Sequence, residues 1–151
     1  MPTVVSRHFG TLDYDPGEQF IFPNGLPGFP AQTAFLPVEI PDQLPVLYLQ
    51  SMDTPDLCFV SLPVRCIVRD YELCPNGEDL ARIGLEPNVQ PGPDALCLAL
   101  ICFSEDGTAD ANLRAPLVIN VKNHLGVQTL QAEDRYPIRY PLKAESEATP
   151  C

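Results

Sequence analysis

The chain has 151 residues, of which 20 are acidic and 9 basic, so its formal net charge is −11. The length fits one domain, and a hydrophobic fraction of 45% is enough to form a buried core. Because nucleic-acid binding needs Lys and Arg to displace phosphate counterions, the composition argues against it. The acidic charge either favours basic protein partners or only keeps the protein soluble.

Proline organises the chain, because 18 of its 151 residues are proline and this density excludes long helices. Turn signals separate short extended segments, which is typical of an all-β barrel or sandwich. The predicted strands are residues 3–9, 10–13, 19–22, 34–40, 46–51, 57–62, 67–73, 95–103, 117–121 and 127–130. We therefore predict an all-β fold, a small antiparallel β-barrel-like domain. Segment 95–103 is apolar at nearly every position, so we expect it to be buried on both faces.

Residues 22–29 have the sequence FPNGLPGF, which allows two interpretations. In the first, Gly25 and Gly28 supply positive φ for a tight turn, and the flanking Phe22 and Phe29 fold into the core. In the second, the segment is a rigid exposed loop that presents Leu26 as an apolar anchor for a partner.

Residues 50–56, QSMDTPD, form a polar turn between two apolar strands. Asp53 and Asp56 either cap backbone amides of this turn or meet an Arg or Lys of a partner. Further along, one short helix is predicted over residues 78–83, with Asn76 as its cap and Gly84 after its end.

The segment 111–142 contains a β-hairpin pattern. Residues 122–126, KNHLG, form its loop, in which Asn and Gly are expected to supply positive φ. The polar residues of this segment either satisfy turn backbones and internal ion pairs or contact a partner. They are Asn112, Arg114, Asn120, Lys122 and Asn123.

The sequence lacks the usual marks of an enzyme. It has two histidines, His8 and His124, and neither a Gly-x-Ser-x-Gly elbow nor a glycine-rich phosphate loop. Six cysteines occur, but their spacing does not fit a zinc site, so we expect small buried apolar residues. We predict no catalysis, cofactor or metal. A small hydrolase is the weaker alternative, and ester and phosphoester screens would test it.

Further predictions concern the location of the protein and the boundaries of its domain. The first residues lack the apolar core of a signal peptide, and the longest apolar run, Ala95–Phe103, has nine residues where a membrane helix needs about 20. We therefore expect a soluble, cytoplasmic protein with no membrane contact. Residues 1–142 are predicted to form the domain, and residues 143–151 a disordered tail.

Several segments, in their order along the chain, resemble the flagellar assembly factor family FliW. Residues 22–29 are similar to the family's F-P-x-G-I-P-G-F, and residues 48–60, YLQSMDTPDLCFV, to W-L-Q-S-x-D-x-P-x-L-A-F. Residues 112–120, NLRAPLVIN, are similar to N-L-x-A-P-I-V-I-N, followed by GVQ at 126–128 and YPIRYPL at 136–142. The resemblance covers nearly all of residues 3–142. Two departures are Tyr48, where many members have Trp, and Cys58, where a small apolar residue is usual.

The resemblance implies a function in which protein partners are exchanged. It implies binding to flagellin and antagonism of the carbon storage regulator CsrA, a small dimeric RNA-binding repressor. Flagellin would hold the factor until export frees it to bind CsrA, so that flagellin synthesis follows secretion. The alternative is a dedicated flagellin export chaperone that leaves a CsrA–RNA complex untouched. We expect a monomer when free. The predicted contact residues are Leu26, Asp53, Asp56, Asn112, Arg114, Asn120, Lys122 and Asn123.

Overall fold

The computed structural model describes residues 2–26, 28–132 and 134–142, and β-strands are their main regular secondary structure. The predicted tail, residues 143–151, lies outside the described residues. The strands are β1 (Thr3–Ser6), β2 (Gly10–Asp13), β3 (Phe20–Ile21), β4 (Ala34–Glu39), β5 (Leu47–Ser51), β6 (Cys58–Pro63), β7 (Ala95–Phe103), β8 (Ala109–Ala111), β9 (Leu117–Asn120), β10 (Gly126–Gln128) and β11 (Tyr140–Leu142). The helices are α1 (Val64–Ile67) and α2 (Gly77–Arg82), and 3₁₀ turns occupy Pro16–Glu18 and Pro41–Gln43.

The strands form two sheets, and their named pairs are antiparallel as predicted. β1 and β2 form a hairpin of their own. The larger sheet has the order β10-β9-β7-β6-β5-β4-β3, with β8 paired to the far end of β7 and β11 paired to β8. Its two end strands meet at an isolated parallel bridge between Ile21 and Leu125. The sheet is therefore strongly curved but not closed, so the fold is barrel-like only in a loose sense.

The long strand β7 lies at the centre of the fold and separates two hydrophobic clusters. Its residues Ala95, Cys97 and Ala99 pack into one cluster, and Leu98 packs into the other. This alternation confirms the expectation of burial on both faces for the first part of the strand. The last part differs, because Cys102 is exposed and Phe103 is 65% exposed.

The predicted strand over residues 67–73 is wrong, because the chain here takes its hydrogen bonds from side chains. The backbone N and O of Leu73 both bond to the side-chain amide of Gln90, at 2.9 Å each. The next amide, of Cys74, donates to Oε1 of Gln131 at 2.6 Å. Side-chain amides thus take the place that a neighbouring strand would have. The short strands β8 and β11 were not predicted.

The predicted helix is confirmed to within a residue at each end. Oδ1 of Asn76 accepts a hydrogen bond from the amide of Glu78 at 3.0 Å, as an N-cap does. Leu80 and Ile83 are buried beneath the helix, and Gly84 has a φ of +81°. This short helix depends on that packing, since six residues do not form a stable helix alone.

The cysteines differ in their burial, and thiol reactivity should follow it. Burial raises the pKa of Cys97 to about 12 and that of Cys58 to about 11, whereas Cys102 is exposed. Because the thiolate is the reactive form, iodoacetamide at about pH 8 should modify Cys102 far faster than Cys97 or Cys58. Peptide mass spectrometry measures the rate at each site. Equal rates at Cys97 and Cys102 would contradict the burial described here.

Candidate partner-binding surface

Gln50, at the end of β5, is fully buried and shapes the loop that follows it. Its Oε1 accepts a hydrogen bond from Oγ of Ser6 at 2.7 Å, which ties the loop to the β1–β2 hairpin. Its Nε2 lies 3.1–3.3 Å from the carbonyl oxygens of Ser51, Thr54, Pro55 and Leu57. One buried amide therefore fixes the whole turn over residues 51–57, which we call the acidic loop.

Ser51 supplies the caps that were considered for the two aspartates. Its Oγ accepts from the amides of Asp53, at 3.2 Å, and Thr54, at 3.0 Å. It also donates to Oε1 of Gln32 at 2.6 Å, and Nε2 of Gln32 donates to Oγ1 of Thr54 at 2.8 Å. The acidic loop is thus held by uncharged side chains, which leaves its carboxylates to face solvent.

The two aspartates of the acidic loop are both exposed. Asp56 forms an ion pair with Arg7 at 3.6 Å, in which the two side chains are 68% and 73% exposed respectively. Exposed pairs of this kind contribute at most about 1 kcal/mol, so a partner's cation can replace Arg7 at little cost. Asp53 and Asp56 therefore remain predicted contact residues.

In the turn over residues 22–29, two apolar side chains have the opposite exposure to that predicted. Leu26 is 2% exposed and packs with Phe22 in the core, so the expectation of an exposed anchor at Leu26 is wrong. Phe29 was expected in the core but is 40% exposed, and its ring lies 5.6 Å from Phe59. The reason is a tight turn in which the backbones of Leu26 and Phe29 bond to each other, at 2.7 and 3.3 Å.

The backbone of Phe29 is linked to the acidic loop through Gln32. The amide of Gln32 donates to the carbonyl of Phe29 at 3.1 Å, and the Gln32 side chain bonds to Ser51 and Thr54 in the loop. Aromatic side chains on rigid supports are frequent centres of binding energy. We name Phe29, Asp53 and Asp56 the acidic–aromatic surface. Sequence reasoning missed Phe29 because phenylalanines flanking a glycine-rich turn are usually core residues.

The asparagines of the segment 111–142 bond to backbone, which confirms the structural alternative for them. Asn120 and Asn123 donate to the carbonyl oxygen of Ile83 at 2.8 and 3.2 Å, and so hold the end of α2. Oδ1 of Asn112 accepts from the amide of Ala115 at 3.0 Å. Asn120 is 6% exposed, so the expectation that it lies on the surface is wrong.

Arg114 and the terminal motif also have structural roles. Nε of Arg114 donates to the carbonyl of Tyr136 at 3.1 Å, and its guanidinium pairs with Asp134 at 3.6 Å. The Tyr136 ring stacks on Tyr71 at 4.3 Å, and the Tyr71 hydroxyl donates to the carbonyl of Leu113 at 2.6 Å. Tyr136 therefore anchors the start of the terminal motif in the core, whereas residues 137–139 are exposed.

The β9–β10 loop differs from its prediction in one respect. The residue with positive φ is His124, at 61°, and neither Asn123 nor Gly126 has this conformation. Gly126 is required for space instead, since a Cβ there would lie 2.6 Å from the Phe22 ring. Lys122 is exposed in this loop and remains a predicted contact residue, whereas Asn123 is exposed but bonds to backbone.

Six of the eight predicted contact residues fall into two groups, and the other two are Leu26, which is buried, and Arg114, which bonds to Tyr136. Asp53 and Asp56 belong to the acidic loop, whose described contacts reach Arg7 and Gln32, whereas Lys122 and the three asparagines belong to loops beside β9 and α2. In residues 2–26, 28–132 and 134–142, no group of three His, Cys, Asp or Glu side chains is placed to hold a metal ion. Over the same residues, no helix has the length and apolar character that crossing a membrane requires.

Comparison with known proteins shows the family of this chain. The sequence profile of the family described as "FliW protein" matches residues 3–142. The chain belongs to the FliW family. Flagellar assembly factor FliW 2 of Desulfotalea psychrophila is 30% identical over 142 residues, which cover 94% of this chain and 91% of the relative. Flagellar assembly factor FliW of Natranaerobius thermophilus is 32% identical over 141 residues, covering 92% and 91%.

A solved structure extends the likeness to three dimensions. The crystal structure of a flagellar assembly factor FliW matches with a TM-score of 0.80 and 25% identity, over 95% of this chain and 99% of that one. The family assignment and the all-β fold expected from the sequence are therefore confirmed. The acidic–aromatic surface therefore belongs to a member of a family of flagellar assembly factors.

Proposed function

We propose that this FliW protein is a cytoplasmic, non-enzymatic binding protein that exchanges two partners, flagellin and the translational regulator CsrA. Free flagellin holds it, and export of flagellin releases it to bind CsrA and relieve translational repression. The observation that supports a binding role is the acidic–aromatic surface. There an exposed Phe29 and two exposed carboxylates are held by a buried hydrogen-bond network rather than by a flexible loop.

The rigidity of the acidic loop favours binding, because an ordered loop loses little conformational entropy when a partner docks. The exposed ring supplies apolar contact area, and the carboxylates of Asp53 and Asp56 select a basic partner. An RNA-binding protein is basic, and its positive potential extends beyond the residues that contact RNA, so an acidic partner can dock beside them. We therefore assign the acidic–aromatic surface to CsrA.

The net charge of −11 supplies a mechanism for antagonism. An acidic body docked near the RNA surface of CsrA repels the phosphates, so RNA is released without competition for the same residues. Salt screens this repulsion over about 10 Å at 0.1 M. Inhibition of RNA binding should therefore weaken as salt rises from low to physiological concentration. A filter-binding assay that shows constant inhibition would exclude repulsion as the mechanism.

Charge reversal of the acidic loop tests the assignment of this surface. The double variant Asp53→Lys/Asp56→Lys should weaken CsrA binding by at least about tenfold, because two attractive contacts become repulsive. Its melting temperature should stay within about 2 °C of wild type, since neither carboxylate caps a described amide. Calorimetric titration and thermal unfolding measure the two effects.

The matched control is Asp70→Lys/Glu105→Lys, which changes the net charge equally at two other exposed positions. It should retain CsrA binding. Equal weakening by both double variants would show that only total charge matters, and a large fall in melting temperature for Asp53→Lys/Asp56→Lys would show a structural role.

The second candidate function is a dedicated flagellin export chaperone without regulator binding. It predicts a protein that binds flagellin but leaves a preformed CsrA–RNA complex intact. Adding the protein to labelled RNA bound to CsrA separates the two candidates, because RNA release supports partner exchange and its absence supports the chaperone.

A further inference from the structure

The outer edge of β10 is a second surface to which a partner can bind. β10 is the last strand of its sheet and pairs with β9 along one edge. On its other side, the isolated bridge between Ile21 and Leu125 joins it to β3, which ends there. Beyond the bridge a cavity of about 400 Å³ opens, lined by Pro23, Asn24, Gly25, Arg82, Ile83, Gly126 and Val127.

The backbone of β10 presents hydrogen-bonding groups toward this side. In an antiparallel pair, alternate residues bond to the partner strand. The amide of Thr129 donates to the carbonyl of Pro116 at 3.1 Å. Because every second residue bonds to the partner strand, the backbone N–H and C=O of Val127 also point toward β9. The C=O of Gly126 and the N–H and C=O of Gln128 therefore point away from β9. These groups match the backbone of an added strand.

Within residues 2–26, 28–132 and 134–142, the edge of β10 lacks the features that usually protect an edge strand. Proteins block such edges with proline, with charged side chains or with a covering element. β11, which ends the other branch of the sheet, carries Pro141. β10 has the sequence Gly-Val-Gln, with neither proline nor charge. Two glycines of the cavity lining are closely packed on one side, because at Gly25 and Gly126 a Cβ would meet neighbouring atoms at 2.5 and 2.6 Å.

Two exposed basic side chains, Arg82 and Lys122, lie on elements next to this edge, and one of them is already paired with a carboxylate. Arg82 lines the cavity with its side chain 59% exposed and held 3.7 Å from Asp79. Asp79 is itself fixed by a hydrogen bond of 2.9 Å from Oγ1 of Thr129, beside β10. Lys122 is exposed in the loop that precedes the strand. In a chain of net charge −11, these cations favour an acidic occupant.

We propose that an extended acidic segment of flagellin binds along β10 as an added strand and fills this cavity. The proposal rests on the proposed function, which supplies flagellin as a partner. Strand addition requires a segment whose own backbone is unpaired. The proposal therefore requires that part of the flagellin backbone is unpaired before export. The added strand is short, about 10 Å for three residues, so it acts together with other contacts.

Replacement of Gln128 by proline tests strand addition. Gln128→Pro removes an outward N–H without removing a bond to β9, and should weaken binding of full-length flagellin about tenfold. Gln128→Ala is the matched control, since it loses the side-chain bond to the Ala115 carbonyl but keeps the amide. It should bind within about twofold of wild type. Arg82→Gln should weaken binding two- to fivefold, and Arg69→Gln, at an exposed position elsewhere, should not.

Hydrogen exchange on the wild-type protein gives a readout that does not depend on the folding of any variant. The Gln128 amide should exchange at least about tenfold more slowly when flagellin is bound. If the exchange rate of the Gln128 amide is unchanged and Gln128→Pro and Gln128→Ala bind flagellin equally, strand addition is overturned. Flagellin binding, and with it the proposed function, then still stands. Absence of flagellin binding to wild type overturns both. Slower exchange that grows with protein concentration alone would make a second copy the occupant and overturn the proposal.

Discussion

Gly25→Ala should destabilise the protein by about 3 kcal/mol or more. Gly25 has a φ of +69°, which costs an L-residue energy by itself. A Cβ there would also lie 2.5 Å from the carbonyl oxygen of Pro30 and 2.6 Å from that of Phe29. Both are backbone atoms, so the clash is relieved only if the turn moves. Urea unfolding followed by circular dichroism measures the loss.

Gly28→Ala is the matched control for this prediction. Gly28 lies in the same turn and has a φ of +85°, but no atom lies within 4 Å of a Cβ built on it. It should therefore cost only the conformational term, about 1 kcal/mol. Similar losses for Gly25→Ala and Gly28→Ala would show that close packing in this turn is not what requires glycine.

Gln50→Leu should cost about 2–4 kcal/mol and also disturb the acidic loop. The two side chains have similar volumes, so the loss comes from hydrogen bonds and not from a cavity. The substitution leaves Oγ of Ser6 without its acceptor at 2.7 Å and removes the donor shared by the loop carbonyls. Because the loop would lose its support, binding to CsrA should fall as well. Urea unfolding and calorimetric titration measure the two losses.

Ser6→Ala provides the comparison for Gln50. It removes one partner of Gln50 and leaves the bonds between Nε2 and the loop carbonyls intact. We expect a loss of about 1–2 kcal/mol and little change in CsrA binding. If Gln50→Leu retained wild-type stability, the buried amide would not be what organises the acidic loop.

The fold could be predicted largely from local patterns, because proline and turn residues mark the strand ends and the apolar run at Ala95–Phe103 marks the centre. The failures have a common cause, which is bonding between residues distant in sequence. Nothing near residues 67–73 shows that Gln90 and Gln131 will supply the hydrogen bonds of a missing strand. The strands β8 and β11 are three residues each and form only because they pair with each other and with β7.

The candidate site could be predicted less well, because exposure depends on which side of a turn a residue occupies. The sequence around Gly25 marks a tight turn but does not show that Leu26 faces inward and Phe29 outward. The asparagines of the hairpin were recognised as either structural or functional, and only the position of α2 shows that Asn120 and Asn123 hold the Ile83 carbonyl. The exposure of Asp53 and Asp56 could be predicted because charged turn residues are exposed in most folds.

In the proposed partner exchange, each of the two surfaces binds one partner. The acidic–aromatic surface is assigned to a basic regulator, and the edge of β10, with Arg82 and Lys122 beside it, to an acidic segment of flagellin. The described contacts of the two surfaces do not meet, so exclusion of one partner by the other requires either steric overlap of the bound proteins or a shift in the fold. Double variants that combine the acidic-loop and β10 substitutions separate these effects.

The most direct test of partner exchange is a calorimetric titration of the purified protein with CsrA and with flagellin from the same organism, under reducing conditions. Each partner is titrated alone and then in the presence of a saturating amount of the other. Partner exchange predicts binding to both and loss of CsrA binding when flagellin is present. Binding to flagellin alone, or simultaneous binding of both partners, would contradict it.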